Sequence, residues 1–209
     1  GSLGPGGAEQ QAVRLARWLR DAQGARVRMA GFSPNQGLLD DADARSLGGD
    51  VLADATPQTR ADVLKTSLAL WKYFRATQPD VVVPFTYLPN VLCGVAARTA
   101  GVGACFWNQR DAGLHRFNGP LGRALERIAV GRAAHFLAVS DGARDWLTSV
   151  LGVLPGRVSV IPNPVLRREA RDGAASWRVR LKISDDCLVV TMLANLGQNK
   201  DFATLLAAW

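Results

Sequence analysis

Cysteine and histidine are scarce in this sequence. Cys93, Cys105 and Cys187 are the three cysteines in 209 residues. Their odd number, wide spacing and lack of a CxxC pair argue against a disulfide framework or a zinc site. Reduced, buried thiols are expected. His115 and His135 are the two histidines, and two isolated imidazoles do not make a metal site. His135 opens a predicted buried strand and reads as a core residue, whereas His115 lies in a loop and stays open. No apolar run reaches the ~18 residues that span a bilayer, and no signal-peptide pattern is present. A soluble, cytoplasmic protein is expected. Both ends look abrupt: the chain opens at Gly1 without an initiator Met and stops at Trp209 inside the apolar run FATLLAAW. That predicts a piece of a longer protein.

Hydrophobic residues make up 48% and charged residues 21%, a balance that suits a packed globular chain rather than a disordered one. The net charge is +7, but the arginines are spread along the chain, which disfavours a dedicated nucleic-acid patch.

Periodicity alternates between helix and strand. GSLGPGGAEQ is a Gly/Pro loop running into an amphipathic helix over about residues 7–22, with Ala8, Ala12, Leu15, Ala16 and Leu19 on one face and Arg14, Arg17 and Arg20 opposite. Gly24 closes it, and ARVRMAGF alternates like a strand. Residues 34–58 show no clear period and read as loop with at most one short helix. Further helices are predicted over about 60–78, 88–100, 120–132 and from Ser140 to about Leu151. Strands are predicted at VVVPF (81–85), ACFWN (104–108), HFLAVS (135–140) and RVSVIP (157–162). Strands alternating with helices of this length imply a doubly wound, Rossmann-like parallel sheet with helices on both faces. After a charged linker, NPVLRREARDGAAS, a helix over about 177–182 leads to the apolar strand CLVVTMLA (187–194), and Asp201 opens one more helix. A second lobe is expected to begin there.

Glycines Gly4, Gly6 and Gly7 before a helix suit phosphate, because the helix start offers unpaired N–H donors and a favourable dipole. A tight turn without a ligand is equally compatible. A dinucleotide-binding GxGxxG would need a third glycine where Glu9 stands and an acidic residue after the next strand, which ends instead in Phe32-Ser33-Pro34-Asn35. Both requirements fail. An NAD(P)-dependent oxidoreductase and a non-enzymatic Rossmann-like binding module nevertheless remain as alternatives.

The ordered segments GSLGPGGAEQQAVRLARWL, QPDVVVPFTYLPNVLCGVAARTAGV and AVSDGARDWLTSVLGVLPGRVSVIPNPV together resemble family 4 glycosyltransferases of the GT-B fold. The resemblance implies an acceptor-side lobe over residues 1–165, with its first strand missing, and a truncated donor-binding lobe over 166–209. It implies transfer of a sugar from a nucleoside diphosphate sugar to a hydroxyl on a glycan or lipid-linked acceptor, in polysaccharide or glycan biosynthesis. No metal or other cofactor is implied, and retention of configuration follows from the resemblance only. The family's later pair of glutamates is expected beyond Trp209, so this piece alone is expected to be inactive.

Residue by residue, the resemblance assigns Gly6 and Gly7 to the donor diphosphate. In LANLGQNKDF, Lys200 matches the family's phosphate-binding Lys, while Asn195 stands where relatives have an Arg, exchanging a bidentate cationic donor for a neutral one. A lysine at a helix start is otherwise usually just solvated. After Trp107, where many relatives place a His, the sequence reads Asn108-Gln109-Arg110-Asp111. Arg110 cannot give up a proton and would act electrostatically, with Asp111 or Asn108 orienting the acceptor; a capped loop with an ion pair is the competing account. Arg116, Arg123 and Arg127 form a basic stripe opposite Leu121, Leu125 and Ile128. Such a stripe suits peripheral contact with the inner face of a membrane, although a solvated face explains it more simply. Asn163-Pro164 stands at the crossing between lobes, where relatives usually have Asn-Gly.

Overall fold

A computed structural model describes residues 3–4, 6–34, 37–39, 46–111, 113, 116–117, 119–164, 177–184, 186–194 and 200–208. The chain divides into two compact units, Gly1–Pro164 and Val165–Trp209.

In the first unit α1 (Gly7–Gln23) precedes β1 (Met29–Gly31) and β2 (Gly48–Val51). Next come α2 (Arg60–Thr77), β3 (Val81–Val82), α3 (Tyr87–Ala100), β4 (Ala104–Cys105) and β5 (Trp107–Gln109). The unit ends with α4 (Pro120–Arg132), β6 (Phe136–Ala138), α5 (Asp141–Val150), a 3-10 turn at Pro155–Arg157 and β7 (Val158–Val160). All strand pairs described are parallel: β1 with β2, β3 with β4, and β5 with β6 with β7. Helix α3 joins β3 to β4, α4 joins β5 to β6 and α5 joins β6 to β7, crossovers of the kind that link parallel neighbours. The protein is a Rossmann-like α/β fold.

Local chemistry sets the helix ends. Gly24 and Gly101 close α1 and α3 at φ 63° and φ 89°, a left-handed conformation that glycine adopts without strain. Thr59 and Asp62 cap α2 reciprocally, and Ser140 caps α5 through the Ala143 N–H at 3.2 Å.

Helix α3 is buried nearly all round and separates two apolar clusters. Val91 packs with Trp107, Ala129, Phe136 and Leu147. Leu92, Cys93, Ala96, Ala97 and Ala100 pack with Phe32, Leu70, Phe74 and Cys105. Its small residues let neighbours come close: a Cβ on Gly94 would lie 2.8 Å from the Ala129 Cβ of α4. Cys93 and Cys105 are reduced and buried, and burial pushes the Cys105 thiol up to about 12.

Three expectations are corrected. Residues 48–51 form β2 rather than loop, held to α2 by Asp50, which accepts from the Tyr73 hydroxyl at 2.7 Å and from Arg28 at 2.9 Å. The stretch Gly-Gly-Asp-Val lacks the alternation that signals a strand; partners supplied by β1 make it one. On α4 the predicted faces are displaced. Leu121 and Ile128 are exposed, while Glu126 and Ala129 are buried, because Arg116 and Tyr87 neutralise a glutamate on the inward face. In the second unit, Cys187–Ala194 form no strand, and Leu188 and Leu193 are exposed. A strand needs hydrogen-bonding neighbours, and the described part of that unit holds α6 (Trp177–Leu181) and α7 (Phe202–Ala208) but no strand.

Candidate functional site at the carboxyl edge of the strands

Ligands of open parallel α/β sheets bind outside the carboxyl ends of the strands, and here that edge gathers the unusual groups. The glycine loop runs past the end of β1. Gly31 permits this, since a Cβ there would stand 2.7 Å from the Leu3 side chain. The loop turns through a hydrogen bond from Gly6 N to Gly4 O at 2.9 Å and opens into α1 without a side-chain cap at Gly6. The Glu9 side chain folds back, and its carboxylate fills the space that a Cβ on Gly6 would take, whereas none of the described residues stands within 4 Å of a Cβ on Gly7. An open helix N-terminus carrying a carboxylate is the geometry an anion occupies.

Arg110 follows β5 onto the same edge. Its guanidinium lies 5.4 Å from the centre of the Phe85 ring and donates to the Asn163 side chain beyond β7. Burial lowers its pKa, and the Glu9 carboxylate opposes that shift by favouring the charged form. Thr86, which follows Phe85, adopts φ 72°, a strained conformation for a residue with a Cβ. Ser33, just past β1, buries a hydroxyl with no hydrogen-bond partner among the described residues.

The backbone of Asn108 is fixed from the side. Phe106 N bonds to Val82 O at 2.9 Å, and beyond that point β3 has left the sheet. The Asn90 side chain then takes the place of a neighbouring strand, accepting from Asn108 N and donating to Asn108 O, each at 2.9 Å. Gln109 accepts from the Trp107 indole at 2.9 Å and donates to Asp111 O and Oδ1 at 3.0 Å. Asp111 Oδ1 also accepts from Gly113 N at 2.7 Å. Asp111 Oδ1 thus shapes the loop.

The next part of that loop is anchored to the core. Arg116 Nε reaches Glu126 Oε2 at 2.9 Å, Tyr87 donates to the same oxygen at 2.5 Å, and the Phe117 N–H meets the Tyr87 hydroxyl at 3.3 Å. Burial works against the Glu126 charge, but the hydrogen bonds from Arg116 and Tyr87 and the nearby cations outweigh it and hold its pKa below the usual value. Burial, then the bond to Glu126, keeps Tyr87 protonated.

Of the residues expected at the site, Asn108, Arg110 and Asp111 are contiguous at this edge, Asn108 buried and Arg110 half-buried. Gly6 and Gly7 form the start of α1, with the Glu9 carboxylate beside Gly6. Lys200 is exposed in the second unit, while Asn195 and His115 lie outside the described residues. His135 is partly buried, with Nε2 2.9 Å from Ser159 Oγ. Arg116 is engaged by Glu126 instead of joining a free basic stripe. Asn90, Phe85, Glu9, Tyr87 and Glu126 were not anticipated, since each acts through a partner distant in sequence or folded back on it.

The family described as Glycosyltransferase Family 4 matches residues 5–166, from the glycine loop through the segment after β7. The chain belongs to glycosyltransferase family 4. Among curated proteins no match is found. As a member of this family the protein is a glycosyltransferase, with a sugar donor and an acceptor as its substrates. Among the described residues, no helix is long and apolar enough to cross a membrane.

Proposed function

We propose that this glycosyltransferase moves a sugar from a nucleoside diphosphate sugar to a hydroxyl of a glycan or lipid-linked acceptor, in the cytoplasm at the inner face of the membrane. Building a polysaccharide or related glycan is the role that fits. The observation that carries this reading is the pairing of an open helix N-terminus with a half-buried arginine at one strand edge of a family 4 chain.

The N–H groups at Gly7 and the residues after it receive the diphosphate once the Glu9 carboxylate, which lies beside Gly6, turns aside, and Gly7 adds no side chain to the approach. In the second unit, taken as the start of a donor-binding lobe, Lys200 and the neutral Asn195 keep the phosphate-binding roles that the sequence resemblance gives them. Arg110, fixed between Phe85 and Asn163, stabilises negative charge as the diphosphate departs, the main electrostatic demand of the step. Asp111 Oδ2 receives the acceptor hydroxyl, and Asn108 sets the backbone from which Arg110 and Asp111 project. Transfer with retention of configuration and without a metal follows the pattern that the sequence resembles.

Gly7→Val tests the reading because its side chain meets none of the described residues. In the full-length protein, assayed on a panel of nucleoside diphosphate sugars by release of nucleoside diphosphate, it should melt near the wild-type temperature. Its turnover should fall by about a hundredfold, the scale of losing a preorganised oxyanion donor. Wild-type turnover by a folded Gly7→Val protein removes the glycine loop from the donor site.

A further inference from the structure

The outward face of α2 is apolar at its centre and basic around it. Its inward face is accounted for by Leu70 and Phe74 in the core. At about 3.6 residues per turn, Leu64, Leu68 and Trp71 fall on one line along the opposite side, and they are 73%, 52% and 37% exposed. Soluble surfaces carry scattered apolar residues, but a continuous line of two leucines and a tryptophan marks a surface that meets something.

The surrounding charges identify the partner. Arg60, Lys65, Lys72 and Arg75 are all exposed along this helix, and the Arg75 guanidinium stands 5.9 Å from the centre of the Trp71 ring. The one carboxylate in α2 is Asp62, which the N-terminal cap at Thr59 engages at 2.8 Å. An apolar line containing tryptophan, beside cations with long aliphatic stems on a helix whose one carboxylate is taken up at its cap, complements the headgroup region of an anionic bilayer.

We infer that the outer face of α2 docks the protein on an anionic lipid surface, with Leu64, Leu68 and Trp71 entering the headgroup boundary and Lys65, Lys72 and Arg75 meeting lipid phosphates. This rests on the proposed transfer for its purpose, since docking brings the strand edge to an acceptor carried in the membrane. It also puts the contact on a different helix from the arginine stripe of α4, which the sequence explains more simply as a solvated face.

Co-sedimentation of the full-length protein with phosphatidylcholine vesicles, with and without phosphatidylglycerol, reads the docking without reference to catalysis. The wild type should bind the phosphatidylglycerol vesicles, more weakly as salt rises. Lys65→Glu with Lys72→Glu, and separately Leu64→Ser with Trp71→Ser, should each weaken binding by more than about tenfold with circular dichroism unchanged. Arg123→Glu with Arg127→Glu on α4 should bind as the wild type does. The inference is overturned if wild type ignores both vesicles, if the α2 variants bind undiminished, or if this face instead makes a concentration-dependent dimer that the variants abolish. Vesicle binding by a protein without transferase activity defeats the transfer reading alone, and transfer to soluble acceptors without vesicle binding defeats the docking alone.

Discussion

Among the described residues, Glu126 is the one charged side chain in the core, and the loop after β5 depends on it. Its carboxylate takes Arg116 and the Tyr87 hydroxyl at once, and Tyr87 in turn stacks edge-on against Trp107 and Phe117, with ring centres 6.2 and 5.7 Å away. Folding therefore favours the ionised acid. Because the folded pKa lies below the ordinary value, this contribution is complete at neutral pH and fades as pH falls through the carboxylate range and past the folded pKa. Glu126→Gln keeps the shape but loses the charge-assisted bonds. It should cost about 1–3 kcal/mol at neutral pH, with the gap to wild type narrowing below about pH 4. Urea unfolding of both proteins across that range measures it. A gap that stays constant down to strongly acidic pH would mean that the pair contributes nothing through ionisation.

At the scale of elements, the contact between α3 and α4 is set by absent side chains. Gly94 meets the Cβ of Ala129 at 2.8 Å and its Cα at 3.0 Å, measured from the Cβ it lacks, so any side chain there strikes backbone. Gly94→Val should destabilise the first unit by about 1–3 kcal/mol through overpacking, lowering its thermal midpoint. An unchanged midpoint would show that the helices separate freely. Helices of this kind were legible in the sequence. Pro120–Arg132 forms within the predicted bounds, and α1, α2 and α3 end where Gly24, Pro79 and Gly101 signal, because period and stop residues are local information. The strand edge was legible only in part. Arg110, Asp111 and the glycine loop stood out as chemistry, whereas Asn90 looks like any helix residue until β3 leaves Asn108 without a neighbour. Glu126 was hidden for a similar reason: helical periodicity counts apolar residues, and a paired acid on the inner face displaces the inferred stripe by part of a turn. A Gly-Gly-Asp-Val strand owes its state to its partner and carries almost no signal of its own.

Across the whole molecule, stability should be distributed as the backbone bonds are. The strands β5, β6 and β7 bond to one another in register, from Trp107 opposite Phe136 opposite Val158 onward, and their side chains enter a dense core of Phe136, Trp107 and Leu147. The run Leu188–Leu193 has equal strand propensity, with three β-branched residues in Val189, Val190 and Thr191, yet it is unpaired among the described residues. Propensity of this sort expresses fit to a sheet surface rather than a backbone preference, so without a neighbour it confers no protection. Amide hydrogen exchange in the isolated chain should separate the two. Phe136–Ala138 should open only with unfolding of the first unit, while the amides from Leu188 to Leu193 should exchange near the rate of an unstructured peptide. Protection of that run comparable to β6 would require a strand neighbour for it, and would overturn the assignment of Cys187–Ala194 as unpaired chain.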